Sequence, residues 1–228
     1  MKFNAGVVPI ITSTGDTKKI ERASDVAYER IRAMIIDLRL QPGAMVNELS
    51  LAAEIELGRT PVHEAVARLV VDRLVKVLPR RGLMITPIGL EEVREIFEAR
   101  EAIECGNAYF AVQHATAAEL AELRRLVEQA ENAREETAVQ RFLDDDQFIH
   151  RFLASCVHNS LLQDATNQIL MHSLRFWRFY FARYHIAEST LISHRALLAA
   201  LEQRDAQGAY MAMREHIRTS RALLNKLF

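Results

Sequence analysis

Cysteine, proline, glycine and long apolar runs are all scarce in this sequence of 228 residues, and each scarcity excludes a class of protein. The two cysteines, Cys105 and Cys156, are too few for a disulfide framework and lack Cys-x-x-Cys spacing, which favours buried thiols in a reducing cytoplasm. The apolar run at residues 6–12 is short and contains Pro9, which excludes a signal peptide and a membrane span. We expect a soluble cytoplasmic protein. Residues 1–20 are expected to form a flexible tail or, alternatively, an arm that embraces a second subunit.

The few prolines and glycines divide the chain into two parts. All five prolines precede residue 88, and only Gly106 and Gly208 follow residue 89. Because both residue types interrupt helices, the rest of the chain is predicted to be helical. The boundary lies at residues 86–89, where a proline and a glycine precede the acidic start of a helix. The sequence therefore predicts a mainly α protein, with one domain over residues 21–88 and an all-helical domain over residues 89–228.

Charge of neither sign dominates the whole chain, whose formal net charge is −1, but its distribution is uneven. Residues 17–84 carry 12 basic and 9 acidic side chains, whereas residues 85–228 carry 16 basic and 20 acidic ones. The basic excess is therefore confined to the first domain. An excess of this sign is typical of a surface that binds nucleic acid.

The first domain has the element pattern of a winged helix-turn-helix. The predicted elements are a helix over residues 24–40, a short helix over 48–56, a further helix over 60–72, and strands over 75–78 and 83–86. Ser24 and Thr60 are predicted N-caps, and Pro61 is predicted at the first helical position after Thr60. Proteins with this order of elements place the helix that follows the tight turn in the major groove of DNA.

The candidate DNA contacts lie at the start of that helix and at the tip of the hairpin. Arg59 and His63 flank the helix start, where side chains reach base edges, and Arg59 can bind guanine O6 and N7 together. The Thr60 hydroxyl and the free N–H groups beside it can hold a phosphate. Arg80 and Arg81 are placed for the adjacent DNA backbone or minor groove. For any one of these arginines, a solvated surface side chain is the alternative.

The second domain divides at its polar breaks into six predicted helices. These cover approximately residues 91–113, 116–135, 137–157, 159–184, 188–206 and 208–227. Asp146 and His150 lie four residues apart on one helix, and His194 and His216 lie on two later helices. One carboxylate and three imidazoles suit a divalent transition metal, with zinc the first choice and nickel or manganese the others. From spacing alone, a local helix contact between Asp146 and His150 is the alternative.

Four short motifs stand out in the first domain, namely Gln41-Pro42-Gly43, Arg59-Thr60-Pro61-Val62, Glu64-Ala65 and Arg81-Gly82. Over residues 24–86 they resemble the DNA-binding domain of the GntR family of bacterial transcription regulators. The resemblance implies DNA contacts at the helix start and at the hairpin tip, Gly82 included. The sequence departs from the usual pattern at Gly58, His63 and Arg73, where the family has Ser or Thr, Arg and Gly. Because histidine has fewer donors than arginine, we expect the preferred operator to differ from the family norm.

The second domain carries its own motifs, namely Glu98-Ala-Arg100-Glu-Ala-Ile-Glu104, Asp146-Gln-Phe-Ile-His150, Ser193-His194-Arg and Met213-Arg-Glu-His216. Over residues 91–226 it is similar to the effector-binding FCD domain of the FadR subfamily, and its six helices resemble the VanR-like group. The resemblance implies that the metal ligands are Asp146, His150, His194 and His216, inside an antiparallel bundle. It also implies that a small carboxylic acid binds against the ion and that Arg100 faces this acid. An intrahelical pair between Arg100 and Glu104 is the alternative.

The expected function is a bacterial transcription regulator, specifically a repressor, that binds an inverted-repeat operator in double-stranded DNA as a homodimer. A small organic acid at the metal site would modulate this binding. A metal-dependent enzyme fused to a DNA-binding module is the main alternative, although the sequence lacks the Glu-x-x-His pairs of a di-iron bundle. A constitutive architectural DNA binder, which needs no effector, is the third interpretation.

Overall fold

The computed structural model describes residues 22–132, 139–184 and 193–223, so the predicted tail over residues 1–20 lies outside the described residues. The chain forms two compact units, which divide between Ile88 and Gly89. Each unit is described by itself below. None of the described helices is both long and apolar enough to span a membrane.

The first unit is a winged helix-turn-helix, which confirms the predicted fold of this region. Its elements are α1 (Ala23–Ile36), β1 (Met45–Val46), α2 (Glu48–Glu54), α3 (Arg59–Val71), β2 (Val75–Leu78) and β3 (Gly82–Ile85). The three strands form an antiparallel sheet with β3 in the centre. Helices α1 and α3 pack together and bury Ile31, Ile35, Val62 and Leu69. This core fixes α3 while its polar face stays exposed.

Three predicted element boundaries in the first unit were wrong. Helix α1 begins at Ala23 with Arg22 as its N-cap, so Ser24 is not the cap, and the helix ends at Ile36 because Leu38 adopts a left-handed φ of 60°. Helix α3 begins at Arg59 after Gly58, so Thr60 is not the cap. Pro61 is then the third helical residue, where its missing N–H costs nothing because first-turn N–H groups have no partner within the helix.

The second unit is a bundle of six described helices, as predicted. They are α4 (Leu90–His114), α5 (Ala117–Asn132), α6 (Val139–Ser155), α7 (Ser160–Tyr184), α8 (Arg195–Glu202) and α9 (Ala206–Ala222). Helix α4 packs against both α7 and α9. Phe97 meets Phe176 and Trp177 edge to face in the core, with ring centroids 5.9 and 6.0 Å apart, and the rings of Phe176 and Trp177 are tilted to each other at 5.0 Å. The long helices thus provide a rigid frame around a buried interior.

The interior of the second unit contains several polar side chains, which is unusual for a helical bundle. Arg100 and Asn107 on α4 meet Ser173 and Thr166 on α7 by hydrogen bonds of 3.2 and 2.7 Å. The two cysteines are buried as expected, and burial raises the pKa of Cys105 to about 12 and that of Cys156 to about 11. Because buried polar groups need partners, Arg100 and Asn107 each bond to a side chain of α7 inside the bundle.

Candidate metal site and DNA-binding surface

The four predicted metal ligands come together inside the second unit. Asp146 and His150 lie one turn apart on α6, His194 is the N-cap residue of α8, and His216 lies within α9. One ligand atom from each side chain lies within 4.8 Å of all the others. The three histidines are 2 to 6% exposed, and the Asp146 side chain is 12% exposed. Three helices thus place one carboxylate and three imidazoles around a single point.

The distances within this cluster fit a single transition-metal ion. Nε2 of His150 lies 3.1 Å from Nε2 of His194 and 3.2 Å from Nε2 of His216. Oδ1 of Asp146 lies 3.5 to 3.9 Å from the same three nitrogens. Two ligand atoms bound at about 2.0 to 2.1 Å from a tetrahedral zinc ion lie about 3.3 Å apart. The donor set and its spacing therefore suit zinc or a similar ion.

The protonation of the cluster also favours a cation. Burial lowers the pKa of His194 to about 4, and burial together with the neighbouring His194 lowers the pKa of His216 well below its usual range. Both rings are therefore neutral at pH 7. Neutral imidazoles that turn proton-free nitrogens toward one another repel, and a cation between them removes that repulsion.

Behind His150 lies Glu104, a residue that the sequence analysis named only as a partner of Arg100. Its carboxylate contacts Nδ1 of His150. A carboxylate only accepts hydrogen bonds, so Nδ1 carries the proton and Nε2 turns its lone pair toward the cluster. Burial alone would raise the pKa of Glu104, but the charge of Arg100 and the hydrogen bond from His150 lower it to about 2. Glu104 is thus a charged group that orients a candidate metal ligand, and only the packing of α4 against α6 shows this contact.

Arg100 forms the intrahelical pair with Glu104 and also reaches the cluster. Its Nε donates to Oε1 of Glu104 at 2.6 Å, and its Nη1 donates to Oγ of Ser173 at 3.2 Å. Its Nη2 lies 3.4 Å from Nε2 of His150. Burial alone would lower the pKa of Arg100, but the charge of Glu104 outweighs it and raises the pKa. A permanent positive charge therefore lies directly beside the cluster of candidate metal ligands.

The predicted DNA-contacting residues of α3 all lie on its exposed face. Arg59 and Thr60 are the first two residues of the helix, and no side chain caps the N–H groups there. His63 lies one turn later, and its side chain is 74% exposed. Nδ1 of His63 lies 2.8 Å from a carboxylate oxygen of Glu48 at the start of α2, a contact that the sequence analysis did not predict. The pair fixes the imidazole at the rim of the exposed face.

The hairpin between β2 and β3 presents Arg80 and Arg81, which are both exposed. Neither side chain forms an ion pair within the part of the chain that the structure describes. Gly82 adopts a φ of +98°, and a Cβ there would lie 3.3 Å from the carbonyl oxygen of Val46. Gly82 is thus needed for the shape of the turn that presents the two arginines.

Both units match known protein families. Residues 23–85 match the family described as "Bacterial regulatory proteins, gntR family", and residues 95–219 match the family described as "FCD domain". The second match alone spans more than half of the chain.

Individual proteins give the same result. The chain is 26% identical to the HTH-type transcriptional repressor RspR of Escherichia coli K12 over 190 residues, which is 83% of each protein. It is 27% identical to the uncharacterized HTH-type transcriptional regulator YdhC of Bacillus subtilis, over 83% of this chain and 85% of that protein. Among solved structures, E. coli McbR/YncC has a TM-score of 0.76 at 21% identity, with 91% of this chain and 99% of that chain covered. This last likeness concerns the fold alone.

Proposed function

The chain belongs to the GntR family of bacterial regulatory proteins and carries an FCD domain, and we propose that a small carboxylate bound at a metal ion in that domain modulates its binding to operator DNA. The families and the relatives are transcription regulators, so the chain is a regulator and not an enzyme. The observation that carries the proposal is the guanidinium of Arg100, 3.4 Å from the metal-facing nitrogen of His150.

In this proposal Asp146, His150, His194 and His216 hold the ion. Three nitrogens and one oxygen make zinc the first choice, with nickel or manganese as alternatives. When bound, the ion supplies a positive charge that attracts a carboxylate oxygen. The guanidinium of Arg100 supplies hydrogen-bond donors for the same carboxylate, since Nη2 points toward the cluster while Nε stays on Glu104. A small acid with one free carboxylate is therefore the effector class that fits these two charges.

The first unit supplies the DNA contacts. Arg59 is proposed to read guanine, Thr60 and the helix start to hold a phosphate, and Arg80 and Arg81 to contact the backbone beside the recognition helix. We further propose that the protein acts in the cytoplasm as a homodimer on an inverted-repeat operator, because a two-fold dimer matches the two-fold symmetry of such a repeat. RspR is described as a repressor, and this supports a repressing role for the present chain.

The test measures operator binding with and without a panel of small carboxylic acids. The operator is obtained by selecting bound duplexes from random DNA, and the protein is used zinc-loaded and after chelation. At least one acid should shift the operator affinity of the loaded protein, whereas its uncharged amide should not. If no acid shifts binding in either form, the effector part of the proposal is wrong, and if zinc neither binds nor raises the melting temperature, the metal part is wrong.

Arg100→Lys separates the effector site from the DNA-binding surface. Lysine keeps a positive charge beside Glu104 but lacks the planar fork that lets Nε of arginine bond Glu104 while Nη2 reaches a second carboxylate. The concentration of acid needed for half of the response should rise by about tenfold or more, the scale of one charge-assisted hydrogen bond. Operator affinity without acid should stay unchanged. Arg94→Lys is the matched control, because Arg94 lies on the same helix but pairs with the exposed Glu91 and Glu98.

A further inference from the structure

His194 is held differently from the other three metal ligands. Asp146, His150 and His216 lie inside helices of 17 residues each, which pack along much of their length. His194 is the N-cap residue of α8, a helix of only 8 residues. The position of His194 therefore depends on whatever fixes the beginning of α8.

One carboxylate holds the residues on both sides of His194. Oε1 of Glu131, near the end of α5, accepts a hydrogen bond of 2.5 Å from Oγ of Ser193. Oε2 of the same carboxylate accepts from Nε of Arg195. Oγ of Ser193 in turn accepts from the backbone N–H of Arg195 at 3.1 Å. The Glu131 side chain is 11% exposed, whereas that of Arg195 is 75% exposed, so the carboxylate of this network, here called the Glu131 clamp, is largely buried while its arginine partner faces water.

A second ion pair joins the same two helices at the other end of α8. Nε of Arg124 on α5 lies 2.8 Å from Oε1 of Glu202, the last residue of α8. Glu131, near the end of α5, contacts the beginning of α8, and Arg124, earlier on α5, contacts the end of α8. The two helices therefore run antiparallel. The polarity of the two pairs is opposite, because α5 supplies the acid at one end and the base at the other. The Arg124–Glu202 pair is the weaker of the two, because its side chains are 55% and 32% exposed, so the register of α8 against α5 is set mainly at the Glu131 end.

Apolar burial alone does not define that register. Helix α8 buries Leu197, Leu198 and Leu201, and such contacts are non-directional. They hold α8 against the bundle but tolerate a small slide or rotation of the helix. The bonds of the Glu131 clamp are directional, and they act within one residue of the ligand.

We propose that Glu131 is a positioning residue: it holds the neighbours of His194 so that the imidazole faces the metal ion. Helix α5 is thereby linked to the metal site. The proposal rests on the metal site proposed above. Removal of the carboxylate leaves the ligand in the chain but releases the side chains of the residues on both sides of it. Loss of a group that holds a metal ligand in place typically lowers metal affinity by about 10- to 100-fold.

The experiment compares Glu131→Ala with Glu131→Gln and with a control at the other end of α8. Zinc affinity is measured by competition with a chromogenic chelator, and the visible spectrum of the cobalt-loaded protein reports the ligand geometry. Glu131→Ala should weaken zinc binding by about 10-fold or more and change the cobalt spectrum. Glu131→Gln still accepts a hydrogen bond from Ser193, so it should bind zinc more tightly than Glu131→Ala and less tightly than the wild type. The double variant Arg124→Gln/Glu202→Gln should behave like the wild type, because it removes an ion pair from the same two helices without touching the neighbours of His194.

Two outcomes of the zinc measurements would overturn the proposal. One is zinc affinity in Glu131→Ala equal to that of the wild type, and the other is an equal loss in Glu131→Ala and in the control. A measurement on the metal-free proteins distinguishes a failure of the proposed role of Glu131 from a failure of the proposed metal site. The imidazole nitrogen signals of His194 in nuclear magnetic resonance spectra should shift in Glu131→Ala and stay unchanged in the control. If these signals are unchanged in both variants, Glu131 does not position His194. If the wild type binds no zinc while these signals do shift, the metal site fails but the positioning of His194 by Glu131 stands.

Discussion

Glu104 contacts Nδ1 of His150, and this contact leaves Nε2 of the same ring 3.1 to 3.2 Å from the corresponding nitrogens of His194 and His216. A buried carboxylate on α4 thus determines which nitrogen of a residue on α6 is available to a metal ion. The same carboxylate accepts from Nε of Arg100 at 2.6 Å. One group therefore orients both a proposed metal ligand and the arginine proposed to meet the effector.

Glu104→Gln should weaken metal binding by about 10- to 100-fold, although Glu104 is not a ligand. The amide can donate as well as accept, so it no longer forces the proton onto Nδ1 of His150, and it removes the negative charge behind the imidazole. The measurement is zinc affinity by chelator competition. Glu98→Gln is the control, because Glu98 lies on the same helix and pairs only with the exposed Arg94 among the residues described. Equal zinc affinity in Glu104→Gln and wild type would contradict the assigned role.

The spacing of residues made part of this site predictable. Asp146 and His150 lie four apart on one helix, and helical geometry alone brings them to one face. His194 and His216 were candidates by residue type only, because no local pattern links them to α6, and the resemblance to a family is what assigned them as ligands. Glu104 and Glu131 could not be assigned their roles at all, since each acts across a helix–helix contact between segments distant in sequence. Residues that orient ligands depend on tertiary packing, which the sequence does not display.

The fold was predictable where proline and glycine decide it. The five prolines before residue 88 separated the winged unit from the helical one, and the order of its helices and hairpin followed from turn residues. The exact helix starts were missed at Ser24 and Thr60, because more than one nearby residue can cap a helix. Strand β1 was missed as well, since two residues are too few for any alternating pattern.

Glu101 should make the stability of the bundle depend on pH. On α4 it accepts hydrogen bonds from Arg214 and Arg218 on α9, and the bond from Arg218 contributes most to lowering its pKa. A folded-state pKa below the unfolded one stabilises the fold above the ordinary pKa of glutamate, and this stabilisation is lost as the pH falls through the lowered value. Glu101→Gln should therefore lower the free energy of unfolding at pH 7 by about 1 kcal/mol.

Urea unfolding of the metal-free proteins at pH 7 and at pH 3.5 tests this dependence. The difference between wild type and Glu101→Gln should shrink at the lower pH, because the wild-type carboxylate becomes partly protonated there. Glu122→Gln is the control, because Glu122 pairs with Arg125 within α5 and joins no two helices. A difference that is equal at both pH values would show that the effect of Glu101→Gln is not due to its charge.

His63→Arg should strengthen operator binding. An arginine at this position can still pair with Glu48 and has further donors for a phosphate or a base. Fluorescence anisotropy with a labelled operator gives the affinities of the wild type and of the variant. His63→Gln, which carries no charge, is the matched control, and equal operator affinities for the wild type and both variants would exclude His63 from DNA binding.

Arg59→Ala and Arg81→Ala should weaken DNA binding in two different ways. Arg59 begins α3, where a side chain reaches base edges, so its loss should cost about 1 to 3 kcal/mol on the operator and little on unrelated DNA. Arg81 lies in the β2–β3 turn, where a phosphate is within reach, so its loss should weaken all sequences alike and reduce the salt dependence by about one counterion. Anisotropy titrations with operator and unrelated duplexes, each from 50 to 200 mM salt, measure both quantities, and Arg125→Ala on α5 serves as a control for the loss of an exposed arginine. If the two variants lose discrimination and salt dependence to the same extent, base reading and phosphate binding are not divided between helix and wing, and the assignment of Arg59 as the base-reading residue is wrong.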